Sequence, residues 1–425
     1  MASTTGAERA SDFSLDAASP SVFDALKSSV YRRGDLGVTP AAAGLLALFV
    51  LFSLSADKFL SKGNFANLLT QATWVILLAV GVTFVLLLGE IDLSAGYTAG
   101  VSVVTIAWLI YQHHVSAWVA IPVGFLVGAF IGLVIGTLVA IVGIPAFVVT
   151  LAFFLGLQGV VLLLAKEGGT IPISNELIIA LVNRTIRPLF GWILWALVVF
   201  GYAGAAVVRS RARQRASLGG EPIVAIAIKA AVIAVVWGFA TYMLNQNRAF
   251  AGAQKKLEGV PVAVPVILVV VVLLNYLLTR TSWGRHVYAV GGNIEAARRA
   301  GINVRLIKIS CFVMTGLLAC IAGMALGSQL NSVSPQTGGN DTLLRAVGAA
   351  AIGGVSLFGG KGKLIYPVIG GFVVMMIDNG LGLMGKIWIV DFTASGPKFI
   401  VQGLVLLLAA SVDALSRRNV GGIRR

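Results

Sequence analysis

Two carboxylates that directly follow a long apolar segment are the side chains of this chain most able to do chemistry. Glu90 and Asp92 lie in GEIDLSAG, residues 89–96, together with Ser94. If the apolar segment spans a membrane, a carboxylate within it is costly and by default functional. The segment therefore predicts either a water-exposed boundary or a break between half-helices that lines a cavity in the bilayer. We favour a structural role for this break over direct contact with a solute.

Three further polar side chains, Gln158, Asp378 and Asn379, lie inside other apolar segments. Amide and carboxylate groups hydrogen-bond to hydroxyl groups, so these residues are candidates for lining the path of a polar solute. Asp378 has a second interpretation, because charges inside a membrane commonly pair and Asp378 could pair with Arg345 across a helix interface. The sequence leaves the pathway role and the pairing role of Asp378 equally open.

The chain lacks the motifs of common hydrolytic and metal sites. GGKGK at 359–363 is not a phosphate-binding loop, because Val355 occupies the position where the first glycine is required. No GxSxG, HExxH or CxxC motif occurs, and the histidines do not group with carboxylates at ligand spacing. We therefore predict a transport protein that is not an enzyme, binds no metal and cannot hydrolyse ATP by itself.

Composition indicates the elements that must position these residues. The chain of 425 residues is 58% hydrophobic, only 12% charged and contains 50 glycines, as in polytopic helical membrane proteins. An apolar run of about 20 residues crosses the hydrocarbon core, and the chain has about twelve. The predicted spans are residues 41–57, 68–89, 95–112, 117–141, 145–165, 189–208, 223–244, 261–279, 307–327, 343–358, 364–384 and 396–414. We thus predict an all-α protein with about 10–12 transmembrane helices, of which 68–89, 343–358 and 364–384 are candidates for broken or re-entrant segments.

The distribution of basic residues predicts the orientation. With the N-terminus inside, the inner segments hold 20 Lys and Arg residues and the outer loops hold nine. Both termini are therefore expected in the cytoplasm, as a flexible tail over residues 1–40 and a basic tail over 415–425, flanking a permease domain over 41–414. Anionic lipid headgroups account for the net charge of +15, so no nucleic-acid partner is expected.

Residues 280–308 form a strongly basic, polar segment between two predicted spans. Asn293 is a good N-cap, Glu295 suits the first turn of a helix, and Gly301 suits its end. A helix of about two turns is too short to be stable alone, so it predicts a surface that docks a second protein. The alternative is an ordinary basic loop held by lipid phosphates. The residues predicted to dock are Gly291, Gly292, Asn293, Glu295, Ala296, Ala297, Arg298, Arg299 and Gly301, with the alanines entering a groove and the arginines at its rim.

Three segments in order resemble the permeases of bacterial ATP-binding cassette (ABC) importers for ribose, xylose and similar monosaccharides. They are GEIDLSAG (89–96), GRHVYAVGGNIEAARRAGINV (284–304) and IGGVSLFGGKG (352–362). The resemblance runs from about residue 60 to the C-terminus. Its departures are modest, such as Ala95 where valine is usual.

This resemblance implies a bacterial plasma-membrane pore made of two permease copies. Two cytoplasmic ATPases would hold ATP and Mg²⁺, while this chain binds no cofactor. A periplasmic or lipid-anchored binding protein would deliver the sugar. The coupling helix of the family maps onto residues 293–301, where the closing ATPases would push. The candidates for the translocation pathway or for gating are Glu90, Asp92, Ser94, Gln158, Asp378 and Asn379.

Two features resemble xylose permeases in particular. Residues 189–244 supply an extra helix pair that compact members lack, and Glu90 stands where ribose permeases usually have glycine. The main alternative is a proton-coupled secondary sugar carrier, in which Glu90, Asp92 and Asp378 would relay protons. Major carriers of that class place a basic loop between spans two and three, and this chain has no Lys or Arg there. A channel or scaffold would leave the capped docking helix unexplained.

Overall fold

The computed structural model of the chain describes residues 39–217, 220–249, 253–254, 256–387 and 390–421. The predicted N-terminal tail, 1–40, therefore lies outside the described residues except for its last two positions. The predicted C-terminal tail, 415–425, is described as far as residue 421, where it continues a helix.

The described chain consists of helices with four very short strands. The first eight helices are α1 Thr39–Ser55, α2 Lys62–Leu87, α3 Ala95–His113, α4 Ala117–Thr137, α5 Ala146–Ala165, α6 Glu176–Asn183, α7 Pro188–Arg215 and α8 Ile223–Asn245. The others are α9 Ala263–Arg280, α10 Ser282–Gly292, α11 Ile294–Arg299, α12 Val304–Leu330, α13 Asn340–Gly353, α14 Ile365–Met384 and α15 Ser395–Gly421. A π-helical turn, Leu138–Val142, extends α4. The antiparallel strand pairs are β1 Ile171–Pro172 with β2 Ser332–Val333, and β3 Lys386–Ile387 with β4 Val390–Asp391.

The prediction of a polytopic all-α membrane protein is confirmed. Among the described residues, 8 helices are long and apolar enough to cross a membrane. Three shorter apolar helices, Thr39–Ser55, Ala95–Tyr111 and Ser395–Leu408, accompany them.

Two of the three segments predicted to be broken are continuous. The helix α2 runs unbroken over 26 residues through the predicted span 68–89, and α14 covers 364–384 without a break. Glycines inside an apolar helix do not break it when neighbouring helices pack against them. The third segment, 343–358, forms α13, whose 14 residues reach only about 21 Å at the standard helical rise. It is therefore too short to cross the bilayer alone.

The helices α2 and α12 form the centre of the bundle and lie against each other. Residues 75–80 of α2 are fully buried, and α12 packs on α2, α3 and α4. Close packing of α4 on α12 depends on glycine. A Cβ atom at Gly128 would lie 2.4 Å from the carbonyl oxygen of Gly316, and one at Gly132 would lie 2.3 Å from that of Phe312. The glycines that recur every four residues along α4, Gly124, Gly128, Gly132 and Gly136, therefore serve packing within the chain.

Residues 196–237, within α7 and α8, form a compact unit of their own. In this unit the ammonium group of Lys229 pairs with the carboxylate of Glu221. The pair forms because Glu221 lies in the turn between the two helices, within reach of Lys229.

Candidate coupling and translocation sites

The short helix α11 forms as its capping residues predict. The Asn293 side chain accepts a hydrogen bond from the backbone N–H of Ala296 at 2.9 Å. Glu295 and Arg298, one turn apart, form an exposed ion pair at 2.8 Å. Gly301 has φ of +79°, a left-handed conformation that glycine adopts without strain and that ends the helix. The six residues span about 9 Å at the standard rise.

One residue of α11 anchors the helix to the rest of the chain. Ala297 is only 3% exposed and belongs to the main apolar cluster. Its carbonyl oxygen also accepts a hydrogen bond from the N–H of Ile302. The sequence predicts that Ala297 enters a groove of the partner. That prediction is wrong, because the Ala297 side chain already packs inside this chain. The exposed face of α11 consists of Glu295, Ala296, Arg298 and Arg299, continued by Ala300 and Gly301.

Glycines from three distant segments meet at the end of α10, just before α11 in the chain, in what we call the glycine junction: Gly89, Gly291, Gly359 and Gly360. The N–H of Gly360 donates to the carbonyl oxygen of Leu87 at 2.8 Å. A Cβ atom at Gly291 would lie 1.7 Å from that same oxygen. The junction therefore joins the end of α2, the end of α10 and the 354–362 turn at backbone contact distance.

Tyr288 also ties α10 to the 354–362 turn, because its hydroxyl donates a hydrogen bond to the carbonyl oxygen of Gly362 at 2.7 Å. Burial, with a smaller contribution from Tyr366, raises the pKa of Tyr288 to about 12. The hydroxyl therefore stays protonated and remains a donor throughout the physiological pH range.

An ion pair adds a further connection on this side of the molecule, which we call the α11 side. The ammonium group of Lys308, in the second turn of α12, contacts the carboxylate of Glu90. Both side chains are mostly buried, at 15% and 21% exposure, and both line a cavity of about 780 Å³ that also contacts α11 through Arg298. Sequence reasoning missed Lys308, because 218 residues separate it from Glu90 and no local pattern links them.

Reversing the charge of Glu90 should expose the strength of this ion pair. Glu90→Lys places two ammonium groups together and should destabilise the protein by on the order of 2 kcal/mol, since breaking a largely buried pair leaves an unpaired charge. The double variant Glu90→Lys, Lys308→Glu restores opposite charges and should recover most of that loss. Thermal unfolding of the four proteins of this mutant cycle in mild detergent measures the coupling. Additive effects would contradict a direct pair.

The other acidic residue of GEIDLSAG has a local structural role. Asp92 is 3% exposed, and its carboxylate accepts hydrogen bonds from the backbone N–H of Ser94 at 2.9 Å and from the Ser94 hydroxyl at 2.6 Å. These bonds hold the non-helical break between α2 and α3. Glu90 and Asp92 therefore differ in role, since one pairs across the fold and the other shapes the break.

On the opposite side of the bundle, Asp378 and Asn379 line a cavity of about 600 Å³. Asp378 pairs with the guanidinium group of Arg345 and also accepts a hydrogen bond from the Gln402 amide at 3.1 Å. The Asn379 amide donates to Gln71 at 3.2 Å. Asp378 thus pairs with Arg345 and also lines the cavity, so the two predicted roles do not exclude each other.

Gln158 lies apart from Asp378 and Asn379. It lines a neighbouring, more apolar cavity of about 880 Å³, together with Tyr97 and Phe154. The two cavities share Asp341 and Arg345 in their walls. The three predicted pathway residues therefore occupy two adjoining cavities rather than one site.

Comparison with known proteins identifies the family. A family profile described as the permease component of branched-chain amino acid transport systems matches residues 64–410. The chain belongs to this permease family. No solved structure matches the chain.

Three similar proteins are named as sugar permeases. The xylose transport system permease protein of Escherichia coli K12 is 33% identical over 91% of this chain and 93% of its own length. The ribose import permease protein of the same strain is 31% identical, covering 87% of this chain and 91% of its own. The fructose import permease protein of Rhizobium meliloti is 30% identical, covering 96% and 94%. The chain is thus a multi-pass membrane permease that is similar to sugar permeases, as predicted.

Proposed function

We propose that this permease forms the membrane pathway of an importer for a pentose of the xylose type, driven by a separate ATPase. The observation that carries the proposal is the exposed face of α11, anchored through Ala297 and backed by the glycine junction. A partner that pushes on this face acts at once on α2, α10 and the turn that precedes α14. The family membership supports an ATPase as that partner.

The charges of α11 suit a docking surface. Glu295 and Arg298 are each more than half exposed, and they form an ion pair with each other across one turn of the helix. Such an exposed pair contributes at most about 1 kcal/mol to stability, so both side chains are available for a partner. We assign to the ATPase the MgATP that powers transport, because the chain has no phosphate-binding loop of its own.

Two features support a xylose-type substrate. The helices α7 and α8 occupy the place of the extra pair predicted from the resemblance to xylose permeases, and Glu90 is the xylose-like residue of its motif. The relative named as a xylose permease aligns over nearly its whole length. Because ribose and fructose permeases align almost as well, the sugar must be determined by direct competition.

The orientation that we propose assigns the partner proteins to the two sides of the membrane. With both termini in the cytoplasm, the α11 side faces the ATPase and the opposite side faces an extracytoplasmic binding protein. A second copy of the chain completes the pore, and anionic lipids bind the basic cytoplasmic segments. ATP binding and the loaded binding protein would then bias the same outward–inward equilibrium from the two sides of the membrane.

Reconstitution tests this proposal. We expect proteoliposomes that contain the permease, its ATPase and its binding protein to accumulate radiolabelled xylose only when MgATP is present. Omitting any one protein should reduce uptake to background. Unlabelled xylose should compete more strongly than ribose or fructose, and the reverse order would correct the proposed sugar.

The proton-coupled carrier predicts a different outcome in the same vesicles. Uptake that follows an imposed pH gradient, without the ATPase, would contradict the ABC mechanism. Family membership favours the ATP-driven outcome.

A further inference from the structure

The 600 Å³ cavity on the side opposite α11 has unusually polar walls for the interior of a membrane bundle. It lies between α2, α12, α13 and α14, and its lining includes the side chains of Gln71, Gln329, Arg345, Asp378 and Asn379. The sequence offers only weak signals for this site, because these residues come from four different helices. Bundle folding brings them together.

Three buried polar atoms in this wall lack a partner. Among the described residues, the Gln329 side-chain oxygen, the Asn379 side-chain oxygen and the Arg345 Nε have no hydrogen-bond partner although they are shielded from solvent. Buried polar atoms in folded proteins nearly always have partners, and an unpartnered one is destabilising. Three in one cavity therefore point to a ligand that completes their bonds.

The hydrogen-bonding types of the three atoms define the ligand chemistry. The two amide oxygens accept hydrogen bonds, and the guanidinium N–H donates one. A hydroxyl group both donates and accepts, so a polyol satisfies all three atoms. A carboxylate only accepts hydrogen bonds, and it would leave both amide oxygens unpartnered.

The charges in the wall favour a neutral ligand. Among the described lining residues, Asp341 and Asp378 are balanced by Arg345 and Lys398. Arg345 is held by both carboxylates, at 3.7 Å from Asp341 and in direct contact with Asp378. The Gln402 amide holds the other oxygen of Asp378 at 3.1 Å. The guanidinium is thus positioned and its charge is compensated before any ligand enters.

We propose that this cavity is a binding site for a neutral monosaccharide, in which Gln329, Asn379 and Arg345 bind the sugar hydroxyls. Asp378 and Gln402 are positioning residues that hold the guanidinium of Arg345. The inference rests on the proposed function, since it names where an imported sugar would be held. It goes beyond that function because the family names specify no site within the permease, and the family description names an amino acid instead.

Equilibrium binding of tritiated D-xylose to the full chain in lipid nanodiscs tests this site. We expect saturable binding that D-ribose competes for and L-leucine does not. Gln329→Leu and Asn379→Leu should each weaken binding about tenfold or more, the range for losing hydrogen bonds in a desolvated site. The matched control is Asn245→Leu, which removes another buried, unpartnered amide oxygen that lies outside the cavity.

A stability measurement guards against misfolded variants. Replacing a buried unpartnered amide by an apolar side chain of similar size should not lower stability. Gln329→Leu should therefore unfold at the same or a higher temperature than the native chain, and it should lose the stabilisation that xylose gives the native chain.

The two proposals can fail separately. Unchanged xylose affinity in both cavity variants, absence of saturable sugar binding, or competition by L-leucine would overturn the binding site. ATP-dependent uptake in the complete reconstituted importer would still stand in each of those cases. Loss of that uptake in the native complex would instead refute the proposed function.

Discussion

Gly291→Ala should abolish sugar uptake by removing most of the correctly folded protein. The new Cβ atom would lie 1.7 Å from the Leu87 carbonyl oxygen and 2.9 Å from the Gly360 nitrogen. These two backbone atoms are already hydrogen-bonded to each other, so neither can move aside without breaking that bond. Overpacking of this kind should cost about 3 kcal/mol or more, the upper end of the usual range.

Helix propensity predicts the opposite sign for this substitution. Alanine is favoured over glycine inside a helix by about 1 kcal/mol, so Gly291→Ala should stabilise α10 if the junction were absent. The adjacent variant Gly292→Ala is a matched control, because a Cβ atom at Gly292 has no neighbour within 4 Å. We expect the control to accumulate and unfold like the native chain. Normal yield and uptake for Gly291→Ala would show that the three segments do not meet as described.

The class of fold can be predicted from this sequence because hydropathy reports directly on the solvent around a helix. Breaks inside the spans are harder to predict. The helix α2 contains Gln71 and Gly81, which suggest a break in isolation, but the helix is continuous and Gly81 packs against Leu318. The same holds for α14, where Gly370 and Gly371 allow close packing instead of interrupting the helix.

Some features of the candidate sites also depend on nearby residues of the sequence, and others depend on residues far along the chain. The ends of α11 follow from Asn293 and Gly301, whose effects act over three or four residues. The burial of Ala297 depends on packing against distant segments, so the residues next to it in the sequence do not predict it. Lys308 and Gln329 are not predicted for the same reason. The partner of Lys308 is 218 residues away, and the Gln329 side-chain oxygen has no hydrogen-bond partner among the described residues.

The positions of α2 and α12 suggest how the two sites communicate. Both helices begin or end at the α11 side, through Leu87 and Lys308, and both contribute to the opposite cavity, through Gln71 and Gln329. Each is therefore a rigid element that contacts both sites. A shift of α11 under an ATPase would move the α11-side ends of both helices together, which is the kind of two-state element that alternating access requires.

Charge reversal on the exposed face of α11 should separate coupling from folding. In Glu295→Arg the new guanidinium joins Arg298 and Arg299 on the exposed face of α11, where the proposed ATPase would meet a carboxylate of the native protein. Placing like charges in an interface costs several kcal/mol, so loss of about 3 kcal/mol of binding corresponds to more than 100-fold weaker ATPase affinity. Because the native Glu295–Arg298 pair is exposed, its removal should change stability by about 1 kcal/mol at most.

A second exposed glutamate provides the control for this variant. Glu176 also lies in the first turn of a helix capped by asparagine and pairs with an arginine, Arg184, but it lies on the opposite side of the bundle. Glu176→Arg should therefore leave ATPase co-purification intact, whereas Glu295→Arg should lose the ATPase and all ATP-dependent uptake while unfolding at nearly the native temperature. Retention of the ATPase by both variants would place the docking surface elsewhere. Loss by both would indicate a general effect of added positive charge, because both sites have an asparagine cap and an exposed glutamate that pairs with an arginine.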